Sequence, residues 1–366
     1  MLVGPHIPPL GIIDFRFLHS FDFLNFLGQL GVLFLLFYLG LEFSIGRLIK
    51  ASSTIVKGGS IYIAINFTLS LLLPFLFGWP VKEMLIAAGV TTITSTAIVA
   101  KVLVDLKRTA NPETEMILGM IMFDDIFLAV YLSFLSGLVL SGATSVGSVL
   151  ISGGTAFAFM MAILLLGRRF INYLNRMFNV TSTELFLIIT LSVLMVVSGL
   201  GETIHVAAAI GALMVGLVLA ETEHRERIEH LILPLRELFG AVFFFSFGLS
   251  IDPLSLTNAI WYSLAAVLMT IIGNFAAGML AGRSAGLTPR ASANIGITII
   301  ARGEFSIILA NIGAAGGLMP ILQPFTALYV LILAILAPLL TKESKRIFNF
   351  LNGIFKWQQT RVAAEN

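Results

Sequence analysis

The sequence contains no cysteine and little charge. Without cysteine the chain has no disulfides, no thiolate metal sites and no thiol nucleophile. Only 11% of the 366 residues are charged and 58% are hydrophobic, which leaves too little polar surface to coat a soluble globule. The net charge of +2 is small and the basic residues occur in twos and threes, which argues against a nucleic-acid partner. The low fraction of charged residues and the high fraction of hydrophobic residues indicate a polytopic all-α membrane protein.

Recognisable enzyme motifs are missing as well. The chain has no phosphate-binding loop, dinucleotide fingerprint, HExxH or GxSxG, and its five histidines lack metal-ligand spacing. The opening MLVGPHIPPLG is too short and too rich in proline for the apolar region of a signal peptide. We therefore expect no soluble-type enzyme activity and no cofactor.

Long apolar windows are what the sequence has in abundance. Windows able to cross roughly 30 Å of hydrocarbon predict eleven spans, near residues 24–45, 58–78, 84–104, 115–138, 147–166, 182–200, 204–220, 238–251, 260–281, 291–312 and 322–340. The short window at 238–251 is extended on its N-terminal side by the amphipathic LILPLREL.

The loop charges are strongly asymmetric. Taking alternate connections, nineteen of the 22 basic residues fall on one side, Arg16 and Lys82 fall on the other, and Arg302 stays inside a span. Cytoplasmic loops are enriched in Lys and Arg. The pattern predicts residue 1 outside, the C-terminus in the cytoplasm and a basic, amphipathic cytoplasmic tail at 342–366.

Two parts of the chain resemble each other at a constant spacing. The matched pairs are FYLGLEFS (37–44) with FSFGLSID (245–252) and AINF (64–67) with IGNF (272–275), both at an offset of 208, and GVTTITST (89–96) with GITIIARG (296–303) at an offset of 207. The equivalent first helices are seven spans apart, so the halves point in opposite directions. The pattern favours an inverted repeat over about 24–140 and 236–341, joined by linking helices at 147–220. Such repeats place substrate sites near the bilayer midplane, at interrupted helices.

Two segments are the best candidates for interrupted helices. GVTTITSTAIVAK holds Thr94, Ser95 and Thr96 inside a span, and GITIIARGEFSI holds Arg302, Gly303 and Glu304. Hydroxyls and freed carbonyl groups are hard oxygen ligands for a small cation. The alternative for the Thr/Ser run is ordinary helix packing with hydroxyls bonded back to carbonyls. For Arg302 and Glu304 the alternative is an internal structural pair.

The strongest local signal is a pair of neighbouring aspartates in MIMFDDIFLAVYL. A carboxylate at mid-membrane costs roughly 2.5–3.5 kcal/mol even on lenient scales. Asp124 and Asp125 are about 100° apart on a helix, so both can border a cavity between helices. Burial and mutual repulsion favour the protonated form of at least one of them. That carboxylate could hold either a proton or a metal cation, which is the chemistry of an exchanger.

At this point the chain resembles the monovalent cation:proton antiporter-2 family over nearly its whole length. The motifs appear in family order: VGPHIPPLGII, LGVLFLLFYLGLEFSI, TSTAIVAKVL, the aspartate pair, AAAIGALMVGLVLAE, FFFSFGLSID and ARGEFSIIL. The resemblance implies a 1–341 transmembrane antiporter domain with two crossed discontinuous helices, a dimerisation domain and a mobile core domain. It also implies a homodimer in the cell membrane.

The resemblance assigns roles by position. It implies that Asp125 is the main cation and proton carrier, that Asp124 is its neighbour, and that the candidate residues of both interrupted segments lie at the crossing. Asp125, Asp124 and Thr94 would then hold Na⁺ or K⁺. An Asp-Asp pair is typical of sodium exchangers that move net charge, whereas potassium-efflux members usually have Gln-Asp, which favours Na⁺. However, Asn274 stands where many Asp-Asp relatives have a lysine that pairs with the first aspartate. Asp124 then needs another partner, such as Arg302, or a proton.

Three other functions fit the sequence less well. A potassium-efflux system of the same family is disfavoured by Asp124, and a sodium-coupled organic-anion symporter of the same fold would need a polar cavity that the sequence does not reveal. An intramembrane aspartyl protease needs its carboxylates on different helices, but the positions equivalent to the pair are Leu331 and Ile332. Relatives often carry further spans ahead of the Gly-Pro motif and a cytosolic regulatory domain after the last span, so such helices, or a regulatory domain or subunit, could stand outside this sequence.

Overall fold

The computed structural model describes residues 21–42, 53–140, 146–203 and 207–355. These residues form helices joined by turns, and no strand occurs among them. The predicted all-α class is therefore confirmed for this part of the chain. The N-terminal VGPHIPPLGII motif and residues 356–366 of the predicted tail lie outside the described residues.

Fifteen α-helices are present in the described ranges. In chain order they are α1 Phe21–Glu42, α2 Ser53–Leu76, α3 Val81–Thr92, α4 Thr96–Asp105, α5 Thr114–Leu140, α6 Val146–Arg169, α7 Ile171–Phe178, α8 Thr183–Thr203, α9 Ala208–Leu219, α10 Arg225–Ser250, α11 Leu256–Ser284, α12 Pro289–Thr298, α13 Glu304–Ala315, α14 Leu322–Lys342 and α15 Ser344–Phe355.

Eight segments of the described chain are long and apolar enough to cross a membrane. They are Phe23–Glu42, Ser53–Leu76, Val81–Asp105, Thr114–Val139, Thr183–Thr203, Arg225–Ser250, Pro253–Ser284 and Leu322–Lys342. The predicted count of eleven is not confirmed. Within the window at 204–220, the described residues hold the 12-residue α9, which at 1.5 Å per residue is too short to span alone, and the window at 291–312 is divided between α12 and α13. The short window at 238–251 belongs to the 26-residue α10.

The chain folds into two compact units, each built from separated stretches of sequence. One unit contains α1, the second half of α5 and α6 to α10. Its core is aliphatic and aromatic, with Phe37, Phe186 and Leu219 fully buried. The other unit contains α2 to α4, the first half of α5 and α11 to α15. The predicted repeat and linker boundaries stay predictions.

The second unit holds every candidate site residue. Its helices pack at very short range where small residues meet. A Cβ added to Gly278 of α11 would overlap the backbone nitrogen of Gly296 in α12. Only glycine at that position lets the two backbones approach so closely. The close packing brings α12 alongside α11 and delivers its C-terminal end to the interior of the unit.

Candidate functional site at two helix breaks

Two helices of the second unit are interrupted in their middle. Residues 93–95 separate α3 from α4, and residues 299–303 separate α12 from α13. We call these stretches the first break and the second break. Ile93 and Ser95 have extended backbone angles, so helical hydrogen bonding stops there and backbone groups at the helix ends need other partners. At the offset of 207 in the predicted repeat, residues 93–95 correspond to 300–302, inside the second break.

The two breaks touch each other. The Ser95 backbone N–H donates to the Ala301 carbonyl oxygen at 3.0 Å, and the Thr94 hydroxyl lies 3.3 Å from the Ile299 carbonyl oxygen. Gly303 is the point of closest approach, because a Cβ at this position would lie 2.6 Å from the Ser95 hydroxyl oxygen. The breaks therefore cross in direct contact, and Gly303 has no room for a side chain.

Arg302 places a positive charge inside the second break. Its side chain is fully buried. Nε and Nη2 donate to the Thr91 carbonyl oxygen at 3.0 and 2.9 Å, and Nη1 lies within 3.1–3.2 Å of the carbonyl oxygens of Ile299, Ile300 and Ala301. The carbonyl ends of α3 and α12 carry partial negative charge. The guanidinium neutralises both helix ends at once.

This arrangement differs from one sequence-based expectation. Arg302 was a candidate partner for Asp124, but the described residues contain no ion pair within 4.0 Å that involves either side chain. The guanidinium donates to backbone carbonyls instead. Several carbonyl oxygens freed by the breaks, which the sequence suggested as cation ligands, are therefore already occupied by an internal cation.

Asp124 is held by the backbone of the first break. It is fully buried, and its Oδ2 accepts the Thr94 N–H at 2.7 Å. Its other oxygen, Oδ1, is buried without a hydrogen-bond partner. One carboxyl oxygen of Asp124 thus satisfies a backbone donor released by the interruption of the helix.

Asp125 meets a different residue of the same segment. It is 6% exposed, and the Thr96 hydroxyl lies 3.1 Å from its Oδ2 and 3.3 Å from its Oδ1. Neighbouring positions on α5 point about 100° apart. The two carboxyl groups therefore reach Thr94 and Thr96 separately, on either side of Ser95.

The N-terminal ends of the second half-helices also receive acidic groups. Glu304 is the first residue of α13, and its Oε2 accepts the Ser95 hydroxyl at 3.3 Å. Helix N-termini carry partial positive charge. At the crossing, carboxylates therefore lie at the starts of α4 and α13, and the guanidinium lies at the ends of α3 and α12.

The other threonines of the first segment behave as ordinary helix residues. The Thr91 and Thr92 hydroxyls donate to the carbonyl oxygens of Ala87 and Ala88 at 2.9 and 2.7 Å, within their own helix. This is the packing alternative that the Thr/Ser run left open. It applies to these two side chains and not to Thr94, Ser95 and Thr96.

Asn274 stands apart from the charged groups. It is fully buried, its Nδ2 donates to the Thr270 carbonyl oxygen at 2.8 Å, and its Oδ1 has no hydrogen-bond partner. The side chain is thus bonded within α11. It supplies no positive charge at the position where the resemblance implies a lysine in many relatives.

Two buried tyrosines belong to the site and were missed by sequence reasoning. The Tyr62 hydroxyl lies 2.9 Å from the Thr92 carbonyl oxygen, and the Tyr329 hydroxyl lies 3.2 Å from the Thr91 carbonyl oxygen. Tyr329 also pairs with the Thr270 hydroxyl at 2.7 Å. Neither tyrosine belongs to a motif or to the matched segments of the predicted repeat.

The side chains at the two breaks offer oxygen donors. Among the described residues, no group of three or more His, Cys, Asp or Glu side chains converges as a metal site. Transition metals prefer such clusters of nitrogen, sulfur and carboxylate ligands, whereas carboxylate and hydroxyl oxygens suit hard ions. The oxygen donors present at the two breaks are therefore of the type that binds hard cations.

Comparison with known proteins identifies relatives over nearly the full length. Residues 1–342 match the family model described as sodium/hydrogen exchanger, transmembrane. The chain is 62% identical over 358 residues to the K⁺/H⁺ antiporter subunit KhtU of Bacillus subtilis, covering 98% of this chain and 88% of the relative. It is 28% identical over 353 residues to the ammonium/H⁺ antiporter subunit AmhT of Alkalihalophilus pseudofirmus, covering 94% of this chain and 87% of that relative.

A solved structure shares the fold. The sodium proton antiporter MjNhaP1 from Methanocaldococcus jannaschii superposes with a TM-score of 0.65 at 16% identity, covering 91% of this chain and 87% of that one. The relatives in these comparisons are membrane transporters, which agrees with the expectation that the chain is not an enzyme. The chain belongs to the transmembrane sodium/hydrogen exchanger family of monovalent cation:proton antiporters.

Proposed function

We propose that the protein exchanges K⁺ for H⁺ across the cell membrane, with both ions competing for the Asp125 carboxylate. One observation carries this proposal. Asp125 accepts hydrogen bonds from the Thr96 hydroxyl, a neutral donor that an incoming proton or alkali ion can displace. Asp124, in contrast, is fully buried and accepts a hydrogen bond from a backbone N–H, which cannot rotate away as a hydroxyl can.

The choice of K⁺ ahead of Na⁺ rests on the relatives. The relative with 62% identity is named a K⁺/H⁺ antiporter subunit, and AmhT is named for ammonium, a cation close to K⁺ in size. The Asp-Asp pair favoured Na⁺ in the sequence alone. We rank the whole-chain similarity above the single pair, because the ligand environment depends on more residues than these two.

The roles at the site follow from the two aspartates. We assign the exchanging position to Asp125 with Thr96 beside it. Asp124 and Thr94, which the sequence suggested as further cation ligands, form the inner wall, where the Thr94 N–H stabilises the Asp124 carboxyl group. A single shared carboxylate must open to one side of the membrane at a time, so we propose alternating access.

The stoichiometry follows from the missing lysine. With Asn274 uncharged and Asp124 bonded to the backbone, Asp125 is left as the one carboxylate that changes its occupant. We therefore propose one K⁺ for one H⁺, which moves no net charge. A transport rate that responds to an imposed membrane potential would contradict this stoichiometry.

The partners are proposed by analogy. KhtU and AmhT are both named as antiporter subunits, so we propose that this chain works with a regulatory subunit. We also propose that it forms a homodimer in the cell membrane with its C-terminus in the cytoplasm, as the loop charges predict.

The experiment measures cation-dependent proton movement in proteoliposomes with each alkali cation in turn. The wild type should move protons on addition of K⁺, and Asp125→Asn should abolish this movement while the protein still inserts and purifies. Asp105→Asn is a matched control, since Asp105 lies on an exposed face and pairs only with Lys101 at 3.2 Å. Retained exchange in Asp125→Asn would reject the assignment.

A further inference from the structure

The Tyr62 hydroxyl belongs to a hydrogen-bond cluster at the first break in which the oxygen–oxygen contacts outnumber the hydroxyl protons. Its side chain is 1% exposed on α2. The Tyr62 hydroxyl oxygen lies 2.9 Å from the Thr92 carbonyl oxygen and 2.6 Å from the Thr94 hydroxyl oxygen. The Thr94 hydroxyl in turn lies 3.3 Å from the Ile299 carbonyl oxygen of the second break.

The cluster has fewer protons than contacts. Each hydroxyl can donate one proton and each carbonyl can only accept. The two hydroxyls therefore supply two protons for these three oxygen–oxygen contacts, and the Thr94 side chain also hydrogen-bonds with the Asp124 carboxyl group. Two oxygens at 2.6 Å repel unless a proton lies between them, so the contact between Tyr62 and Thr94 must be filled in every arrangement.

Two arrangements satisfy this condition. In the first, Thr94 donates to Tyr62 and Tyr62 donates to the Thr92 carbonyl, which fastens α2 to the end of α3. In the second, Tyr62 donates to Thr94 and Thr94 donates to the Ile299 carbonyl, which fastens the two breaks together. Each arrangement makes two hydrogen bonds, and they interconvert by rotating two O–H bonds without moving a heavy atom.

The second tyrosine of the site does not alternate between two sets of hydrogen bonds. Tyr329 contacts the Thr91 carbonyl oxygen at 3.2 Å and the Thr270 hydroxyl at 2.7 Å. These two contacts are filled by two hydroxyl protons at once, and the Arg302 side chain also hydrogen-bonds to Tyr329, so a single arrangement suffices. Tyr329 is therefore a comparison residue of the same chemistry, since it too is a buried tyrosine at the crossing.

We propose that Tyr62 is a positioning residue for exchange, which lets Thr94 alternate between a tie to α2 and a tie to the second break. The inference rests on the proposed function of this site. In both arrangements the Thr94 N–H keeps its bond to Asp124. When the occupant of Asp125 changes, the neighbouring residues of the first break can shift their hydrogen bonds without breaking the crossing.

The test compares Tyr62→Phe with Tyr329→Phe in K⁺-driven proton exchange. Tyr62→Phe removes the tie between Thr94 and α2, so the Thr94 hydroxyl is left to the Ile299 carbonyl and the Asp124 carboxyl group and can no longer return to α2. The maximal rate should fall about tenfold while the apparent KM for K⁺ stays within about twofold, because one hydrogen bond is altered away from the ion. Tyr329→Phe should lower the maximal rate by less than about threefold, since no alternation is lost.

Variants of Thr94 give an independent reading, in case Tyr62→Phe does not purify. Thr94→Ser keeps the hydroxyl and should keep the wild-type rate within about twofold, whereas Thr94→Val removes it and should be slowed about tenfold with an unchanged apparent KM. Equal rates for the two tyrosine variants, or for the two Thr94 variants, would overturn the proposal. Absence of exchange in the wild type would instead reject the proposed function.

Discussion

The two helix breaks differ in how their released backbone groups find hydrogen-bond partners. In the second break, the released carbonyl groups are bonded by Arg302 from within the same segment. In the first break, the released groups are bonded by side chains from other helices, with Asp124 accepting from Thr94 and Tyr62 contacting the Thr92 carbonyl. The second break therefore carries its own cation, whereas the first depends on side chains of neighbouring helices.

The difference matters because of the ionisable groups involved. A guanidinium does not lose its proton in proteins. Its charge at the second break is therefore permanent and suits a structural role. A carboxyl group can gain or lose a proton, so the first break, which faces Asp124 and Asp125, is the one whose charge can change during a transport cycle.

The largest expected effect comes from removing the permanent charge. Arg302→Met takes donors from four carbonyl oxygens at the same time. We expect the free energy of unfolding to fall by about 3 kcal/mol or more, since several buried acceptors lose a partner. Thermal melting in detergent measures this. Arg346→Met is the control, because that side chain is 85% exposed and its loss should cost less than about 1 kcal/mol. Equal melting temperatures for the two variants would contradict the role given to Arg302.

The contact between the breaks can be tested by adding one carbon atom. In Gly303→Ala, the new Cβ would lie 2.6 Å from the Ser95 hydroxyl oxygen, so the crossing must open. We expect exchange to fall about tenfold or more, as for other overpacked positions that cost about 1–3 kcal/mol. Gly199→Ala, where a Cβ meets nothing within 4 Å, should exchange normally. Normal exchange in Gly303→Ala would show that the breaks need not touch.

A smaller effect is expected at the exchangeable carboxylate itself. Thr96→Val removes the hydroxyl that faces both oxygens of Asp125. The apparent KM for K⁺ should change by about threefold to tenfold, the effect of one hydrogen bond, while Thr96→Ser should behave as the wild type. A titration of exchange rate against K⁺ concentration checks this. Identical KM values for the valine and serine variants would remove Thr96 from the site.

The smallest effect is expected one helical turn away. The Thr92 hydroxyl donates to the Ala88 carbonyl oxygen at 2.7 Å and points into its own helix. Thr92→Val should therefore change the rate and the apparent KM by less than about twofold. A large loss of exchange in this variant would mean that the side chains of the first segment act together and not individually.

The general form of the site could be predicted from the sequence because burying charge is expensive. Aspartates, an arginine and a run of hydroxyl residues inside apolar windows had to face the protein interior. This reasoning selected Asp124, Asp125 and Arg302, which the structure brings into one compact unit at the two breaks.

The partners of these residues could not be predicted in the same way. Arg302 donates to backbone carbonyl oxygens, which every residue possesses, so no sequence pattern distinguishes them from a carboxylate. Tyr62 escaped notice because a single tyrosine in an apolar helix has no charge and forms no motif. The predicted number of spans is not confirmed for a related reason, since an apolar window does not reveal whether its helix is short or interrupted.

The central claim is that K⁺ and H⁺ exclude each other at Asp125. It is tested most directly by measuring proton release when K⁺ is added to the purified protein in a weakly buffered solution, with K⁺ binding followed by calorimetry. The wild type should release about one proton for each K⁺ bound, and Asp125→Asn should release none. If the wild type binds K⁺ and releases no proton at every pH tested, the account is contradicted.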